Sequence, residues 1–135
     1  MKKLFIQILF ISLFAFISCE KVDVFNTSVV GVWTNPQYND SIIVYERSNI
    51  LPENEYGLEL KADGTIIERK NAGWCGTPPI AYDDFTGKWT GNDSIINIEV
   101  MFWGGTEKLK WKIISFDDNK LTIKQLKSEY IYKDF

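Results

Sequence analysis

The chain has 135 residues, enough for one domain, and its 18 acidic residues outnumber its 15 basic residues. This acidic balance argues against a nucleic-acid-binding protein, because such proteins present a basic patch to the phosphates. The sequence contains no histidine, which removes the commonest general base and the commonest metal ligand. We therefore expect no catalytic residues, no metal site and no cofactor.

The first 18 residues are predicted to be a secretory signal peptide. Met1, Lys2 and Lys3 provide a positive start, and residues 4–18 are apolar except for three polar residues. This run is too short to span a bilayer, which takes about 20 apolar residues. A charged start followed by a short apolar run is typical of a secretory signal. The alternative is a buried N-terminal helix or a short membrane anchor.

Residues Phe16-Ile17-Ser18-Cys19 resemble the lipobox of bacterial lipoproteins, with the small Ser18 directly before the cysteine. The resemblance implies cleavage before Cys19, acylation of its thiol by fatty acids such as palmitate, and attachment to a membrane through that lipid. Glu20 stands where an inner-membrane retention signal would carry Asp, so the resemblance implies the outer membrane of the cell envelope. Cleavage would leave 13 basic and 18 acidic residues, a net charge of −5. We therefore expect the lipid, and not attraction to anionic lipids, to hold the chain at the membrane.

Residues 19–28 are expected to form the lipidated cysteine and a tether, and residues 29–135 to form an all-β domain. No stretch of 12 residues has clean helical periodicity, whereas β-branched and aromatic residues are abundant. Nine strands are predicted, at 29–34, 41–47, 56–61, 65–70, 85–90, 94–102, 108–116, 120–126 and 129–133. Short strands separated by turn residues predict a small antiparallel β-barrel, with a β-sandwich as the alternative.

Alternating side chains within these strands predict one packed face and one wet face. In the seventh predicted strand, Leu109, Trp111 and Ile113 alternate with lysines. Trp33 and Trp89 also fall at strand positions. We expect these three tryptophans in the core, because a small β domain needs large apolar side chains there.

Gly31-Val32-Trp33 resembles the Gly-x-Trp opening of lipocalins and of the lipocalin-like domains of bacterial lipoproteins. In that family the motif lies on the first strand and its tryptophan packs across one end of the barrel. The resemblance extends over residues 29–133 and implies a lipocalin-like barrel. An eight-stranded barrel can hold one small ligand.

Two segments place aromatic residues in or beside predicted loops. Trp74 and Tyr82 belong to the long loop 71–84, and Phe102 and Trp103 precede two glycines. Aromatic residues at such places line the mouth of a barrel or form a protein contact patch. These four residues are the predicted ligand-binding or contact residues.

The remaining chemistry of the mature chain points to structural roles. Cys75 has no histidine to activate it, so we expect a buried, inert thiol, with pairing to another chain as the alternative. Asp83 and Asp84 are adjacent and would point to opposite faces of an extended chain. Asp117 and Asp118 lie in a predicted turn, where Asp is favoured.

Two functions are compatible with these features. The first is binding of a small apolar or amphipathic ligand at the barrel mouth. The second is a non-enzymatic envelope protein that contacts another protein through the loop 71–84. A ligand binder should contain a continuous apolar cavity, an interaction module should expose its loop aromatics on one surface, and an enzyme would need converging carboxylates in a cleft.

Overall fold

A computed structural model describes residues 29–134, which form eight antiparallel strands closed into a barrel. The strands are β1 (Gly31–Asn39), β2 (Ile42–Ser48), β3 (Gly57–Leu60), β4 (Thr65–Asn71), β5 (Tyr82–Asn92), β6 (Ile95–Phe102), β7 (Gly105–Phe116) and β8 (Lys120–Tyr132). The predicted all-β barrel is confirmed, and the sandwich alternative is wrong. The predicted signal peptide, Cys19 and the tether lie outside the described residues. Within residues 29–134, no helix is long and apolar enough to cross a membrane.

The strand order departs from a simple meander at one place. Strands β3 to β8 follow one another around the barrel, and the β1–β2 hairpin closes it with β1 beside β3 and β2 beside β8. In an up-and-down barrel each strand pairs with the next along the chain. Here residues 49–56 instead cross over β1 to reach β3.

Two hairpins share one turn sequence and one turn conformation. Asn-Asp-Ser-Ile-Ile joins β1 to β2 and also β5 to β6. The central Asp40 and Asp93 have φ of 52° and 54°, in the left-handed region. Asp tolerates that region because its short polar side chain bonds locally to the backbone.

The two last predicted strands are one strand, so the prediction of nine strands is wrong by one. Lys110 pairs with Lys127, whereas Trp111 pairs with Gln125, so β8 carries one extra residue at Leu126. This is a β-bulge, which shifts the side-chain alternation without ending the strand. The bulge lies at the junction between the predicted strands 120–126 and 129–133.

Three tryptophans lie in the core, as predicted. Trp33, Trp89 and Trp111 are all buried. The indole of Trp33 donates a hydrogen bond of 2.8 Å to the carbonyl of Val29, and the Arg47 guanidinium lies 4.1 Å from its ring centre. This cation–π contact closes one end of the barrel, here called the lower end.

The strand directions place several loops together at the opposite end, here called the upper end. The β1–β2 turn, the connection 72–81, the β6–β7 turn and the C-terminal end of β8 all lie there. The apolar core fills the barrel between the lower end and its middle. The upper half also holds charged side chains, so the continuous apolar cavity expected of a ligand binder is not found there among residues 29–134. It contains the candidate site.

Candidate functional site: a polar cavity inside the barrel

A cavity of about 300 Å³ lies inside the upper half of the barrel. Its lining residues come from β1, β2, β4, β7 and β8 and from the residue before β3; they are Tyr38, Ile43, Tyr45, Tyr56, Glu68, Lys70, Glu107, Leu109, Trp111, Gln125, Ser128 and Tyr130. The volume is at the lower end of the range for small-molecule sites. It equals the volume of roughly ten water molecules.

Two carboxylates and one ammonium group face each other across this cavity. Glu68 and Lys70 are two residues apart on β4, so both point inward, and Glu107 points inward from β7. The Lys70 Nζ lies 2.6 Å from a Glu68 oxygen and 3.2 Å from a Glu107 oxygen. Glu68 is 4% exposed and Glu107 is 7% exposed. Charges this deeply buried need partners, and Lys70 serves as a partner to both.

The second oxygens of the two carboxylates are held differently. The Tyr56 hydroxyl donates a hydrogen bond to Oε1 of Glu68. Ser128 donates to Oε1 of Glu107 over 3.4 Å, a long contact. Glu68 is therefore bound on both oxygens by short contacts, whereas Glu107 has longer contacts to Lys70 and Ser128 and a further hydrogen-bond partner in Tyr130.

Tyrosine hydroxyls share the interior with these carboxylates. Burial, and next the charge of Glu68, raise the pKa of Tyr56 well above its ordinary value. Burial raises the pKa of Tyr45, with further contributions from Tyr38 and Glu68. For Tyr130, burial and then the charge of Glu107 raise the pKa to about 12. The tyrosine hydroxyls therefore stay protonated at neutral pH. The negative charges of Glu68 and Glu107 act on tyrosines from several strands around the cavity.

Trp111 supplies a hydrogen-bond donor without an acceptor. The indole groups of Trp33 and Trp89 donate to the backbone carbonyls of Val29 and Lys61. Trp111 lines the cavity and is 2% exposed, but its Nε1 finds no hydrogen-bond partner among the described residues. A buried N–H without an acceptor costs about 1–3 kcal/mol, so an acceptor inside the cavity would be favourable there.

The four predicted contact residues all lie near the upper end, yet none lines the cavity. Trp74 is 82% exposed in the connection 72–81, and Trp103 is 43% exposed in the β6–β7 turn. Tyr82 begins β5 on its outer face. Phe102 is buried and packs edge to face, with ring centres 5.2 Å apart, against Tyr130 of the cavity wall. The structure thus brings the four residues around the barrel mouth and not into it.

Cys75 is exposed, so the expectation of a buried thiol is wrong. The connection 72–81 projects from the barrel, and residues 74–79 are all exposed. Its local structure comes from Asn71, whose side chain donates a 2.7 Å hydrogen bond to the Cys75 carbonyl. A loop held at its base in this way does not cover the thiol. Pairing of Cys75 with another chain stays a prediction.

The charged residues of the cavity were missed in the sequence, although a signal for them exists. Ile66, Glu68 and Lys70 share one face of β4, and Glu107 shares a face of β7 with Leu109. A charged residue at an inward position of a strand marks a polar interior. The predicted seventh strand began one residue after Glu107, so that carboxylate was read as part of a loop.

Lysines gather on the outer face of β5 to β8, although the chain is acidic overall. An open concavity of about 470 Å³ there includes Lys88, Lys108, Lys110 and Lys127 in its lining. Two directly opposite pairs on β7 and β8 carry like charges, Lys110 with Lys127 and Lys112 with Lys124, whereas Lys108 lies opposite Glu129. Like charges at opposed positions destabilise a sheet, so this face is not optimised for stability.

Among residues 29–134, no group of three or more His, Cys, Asp or Glu side chains is placed to hold a metal ion. Comparison with known proteins gave no match to any family model, curated protein or solved structure. The function of the chain is therefore inferred from the cavity itself.

Proposed function

We propose that the chain is a lipid-anchored protein of the bacterial cell envelope whose barrel binds one small amphipathic molecule in the polar cavity. The observation that carries the proposal is a space of about 300 Å³ inside a closed barrel, lined by charged and aromatic side chains. Small-molecule sites are concave volumes of this kind with a few polar groups that orient the ligand.

The lining favours an amphipathic ligand over a purely apolar one. An apolar molecule would displace water from Glu107 and from the Trp111 indole. It would offer these two groups no hydrogen bonds in place of those made by water. Burying polar groups without partners is costly, so such a ligand would bind weakly. A molecule with both an apolar body and polar groups matches the rings and the charges together.

The same groups favour binding over catalysis. Glu68 and Glu107 do converge inside a cavity, as an enzyme with paired carboxylates would require. Lys70 lies between them and contacts both, at 2.6 and 3.2 Å. The ammonium occupies the space between the two carboxylates, where a reacting atom would have to lie within hydrogen-bond reach of both, so we propose a recognition role.

Membrane attachment through Cys19, in the outer membrane, belongs to the same proposal. The lipobox-like residues 16–19 support it, and Trp33 packs across the lower end of the barrel as the Gly-x-Trp resemblance implies. The lipocalin likeness is proposed for the closed barrel and its interior site. It does not extend to the strand order, since β1 and not β2 pairs with β3.

Native mass spectrometry of the lipidated protein, purified from its own envelope, tests ligand binding. We expect a retained small molecule in the wild type. Ser128→Phe places a large ring in the cavity, so this variant should lose the small molecule. Ser115 is exposed near the end of β7, so Ser115→Phe should retain the molecule. Retention of the same molecule by the Ser128 variant, or an empty wild-type protein, would contradict the proposed site.

A separate experiment tests the anchor. Cells fed a labelled fatty acid should incorporate label into the wild-type protein and not into Cys19→Ser. The variant should also leave the membrane fraction. Cys75→Ser is the matched control, because that cysteine lies in the exposed connection 72–81 and should not affect labelling. Equal labelling of wild type and Cys19→Ser would overturn the lipoprotein proposal.

A second candidate function, contact with another envelope protein, is favoured by the exposed aromatic residues at the upper end. Trp74, Trp103 and Tyr132 are all exposed there. A photo-crosslinking residue at position 74 should then give a discrete adduct in cells. The same residue at position 118, in the β7–β8 turn at the lower end, is the control. Equal or absent adducts at both positions would remove this candidate.

A further inference from the structure

We propose that the ligand of the polar cavity is a small organic cation, whose ammonium group binds Glu107 beside the tyrosine rings. The inference rests on the proposed function and adds the chemical class of the ligand.

The charged groups of the cavity do not balance. Glu68 and Glu107 face the single ammonium of Lys70, which leaves one negative charge when all three groups are ionised. Glu68 already has a 2.6 Å contact with Lys70 and a hydrogen bond from Tyr56. Glu107 has longer contacts, 3.2 Å to Lys70 and 3.4 Å to Ser128, and Tyr130, directly opposite on β8, is a further hydrogen-bond partner. Of the two carboxylates, Glu107 is therefore the one with the longer ion-pair contact, and a second positive charge would approach it more easily.

The walls around Glu107 suit a cation with carbon substituents. Tyr45 contributes a buried ring to the same cavity, whereas Tyr38 and Tyr130 are 66% and 53% exposed and lie at its open side. The faces of aromatic rings attract ammonium groups, more strongly where water is excluded. The raised pKa values of these three tyrosines have burial as their largest cause and negative charge as a further one, so the potential at the rings favours a cation.

An inorganic divalent cation fits the same residues poorly. Calcium takes six to eight oxygen ligands, and Lys70 holds its own positive charge between the only two carboxylates among the lining residues. A volume of about 300 Å³ also exceeds what one ion fills. An organic ammonium needs one carboxylate and an aromatic surrounding, and both are present.

Trp111 indicates a second feature of the ligand. Its buried indole N–H lacks an acceptor among the described residues and lies on the wall of the same cavity. A hydroxyl, ether or carbonyl oxygen on the ligand would accept this hydrogen bond. The site therefore fits a molecule with an ammonium group, a compact apolar body and at least one oxygen acceptor.

Three probes of similar size and different charge test the inference on the full-length lipidated protein. These are 2-phenylethylamine, which is cationic, 2-phenylethanol, which is neutral, and phenylacetate, which is anionic. The indole N–H signal of Trp111 in NMR spectra reports entry into the cavity, and calorimetry gives the affinity. We expect the amine to bind at least tenfold more tightly than the alcohol, and phenylacetate to bind least.

Two variants of matched chemistry locate the charge. Glu107→Gln should weaken binding of the amine at least tenfold and leave binding of the alcohol nearly unchanged. Glu99→Gln is the control, because Glu99 lies on the outer face and makes only a 3.7 Å pair with Lys108. It should leave both affinities unchanged. The comparison of probes on the wild-type protein remains decisive even if Glu107→Gln folds poorly.

The outcomes separate this inference from the proposed function. If the alcohol or phenylacetate binds as tightly as the amine and shifts the Trp111 signal, the cavity binds ligands but the cation preference is wrong. Full amine affinity in a folded Glu107→Gln protein would likewise overturn the assignment. If no probe shifts the Trp111 signal and the purified protein carries no small molecule, both proposals fail.

Discussion

Arg69 and Asp84 face each other on the outer surface of β4 and β5 and are joined by two hydrogen bonds of 2.7 and 2.9 Å. The third nitrogen of the same guanidinium donates to the carbonyls of Leu51 and Pro52, at 3.3 and 2.8 Å. Those two residues belong to the connection 49–56, which crosses over β1. One arginine thus ties the crossing segment to the barrel wall, and its planar fork of donors allows this, whereas a lysine could not reproduce it.

Replacing Arg69 should destabilise the barrel more than replacing its acidic partner. Arg69→Met leaves two carbonyls and Asp84 without their donor, and we expect a loss of about 1–3 kcal/mol in the free energy of unfolding. Asp84→Asn removes only a partly exposed ion pair, so its cost should be below about 1 kcal/mol. Urea unfolding measures both values. If the two variants lose the same stability, the ion pair and not the crossing segment determines the effect.

The Arg69–Asp84 pair also has a defined pH dependence. Hydrogen bonds from Arg69 lower the pKa of Asp84 below its ordinary value. Its contribution to stability is therefore present above the unfolded pKa of about 4 and is lost as the pH falls through the lower folded value. Unfolding curves of wild type and Asp84→Asn should converge at acid pH. A difference that persists there would contradict this origin.

The outer lysine face offers a stabilising substitution. Lys124 lies directly opposite Lys112, so Lys124→Glu should raise the free energy of unfolding by roughly 0.2–1 kcal/mol. Lys88→Glu is the control: it places a like charge opposite Glu99 and should lower stability by a similar amount. Both effects should shrink in high salt, because exposed charges are screened. Equal effects of the same sign would show that cross-strand charge does not determine stability on this face.

The tyrosines of the cavity should titrate late. Burial and the charge of Glu107 raise the pKa of Tyr130 to about 12, above the ordinary tyrosine value of about 10. The folded protein therefore binds this proton more tightly than the unfolded chain does. Its contribution to stability is present below about pH 10 and is lost as the pH rises toward 12.

NMR of ring-labelled tyrosine checks this titration. Glu107→Gln should lower the pKa of Tyr130, because the second cause of its shift is removed. Glu99→Gln on the outer face should leave it unchanged. A Tyr130 pKa that does not respond to Glu107→Gln would place the two groups too far apart for the proposed site.

Cys75 should react readily in the folded protein. The side chain is exposed in the connection 72–81, so a thiol reagent should modify it without denaturant and at a rate close to that of the unfolded chain. Cys75→Ser should abolish the reaction and leave the unfolding midpoint unchanged. Modification only after denaturation would instead indicate that the loop covers the thiol.

Much of the barrel could be predicted from local patterns, and the failures have identifiable causes. Asp63-Gly64 is a sequence typical of a hairpin turn, and it joins β3 to β4, with the Asp63 carboxylate accepting the Thr65 N–H over 2.9 Å. Asp117 accepts the backbone N–H groups of Asn119 and Lys120, as the predicted turn required. The predicted strands 120–126 and 129–133 are one strand, because the extra residue in β8 forms a bulge that does not end the pairing.

The sequence by itself determined which side chains point inward, because side-chain direction alternates along a strand and depends only on neighbouring residues. It therefore determined the tryptophan core, the lysine-rich outer face and the hairpin turns. Only the tertiary structure decided that Glu68 and Lys70 on β4 meet Glu107 on β7, 37 residues further along from Lys70. This contact depends on the register between distant strands. That register is set by closure of the barrel, by the β1–β2 hairpin, which places β1 beside β3 and β2 beside β8, and by the bulge in β8. A local pattern places Glu68 and Lys70 on the inward face of β4, but the polar cavity itself exists only because the non-local register brings Glu107 to them.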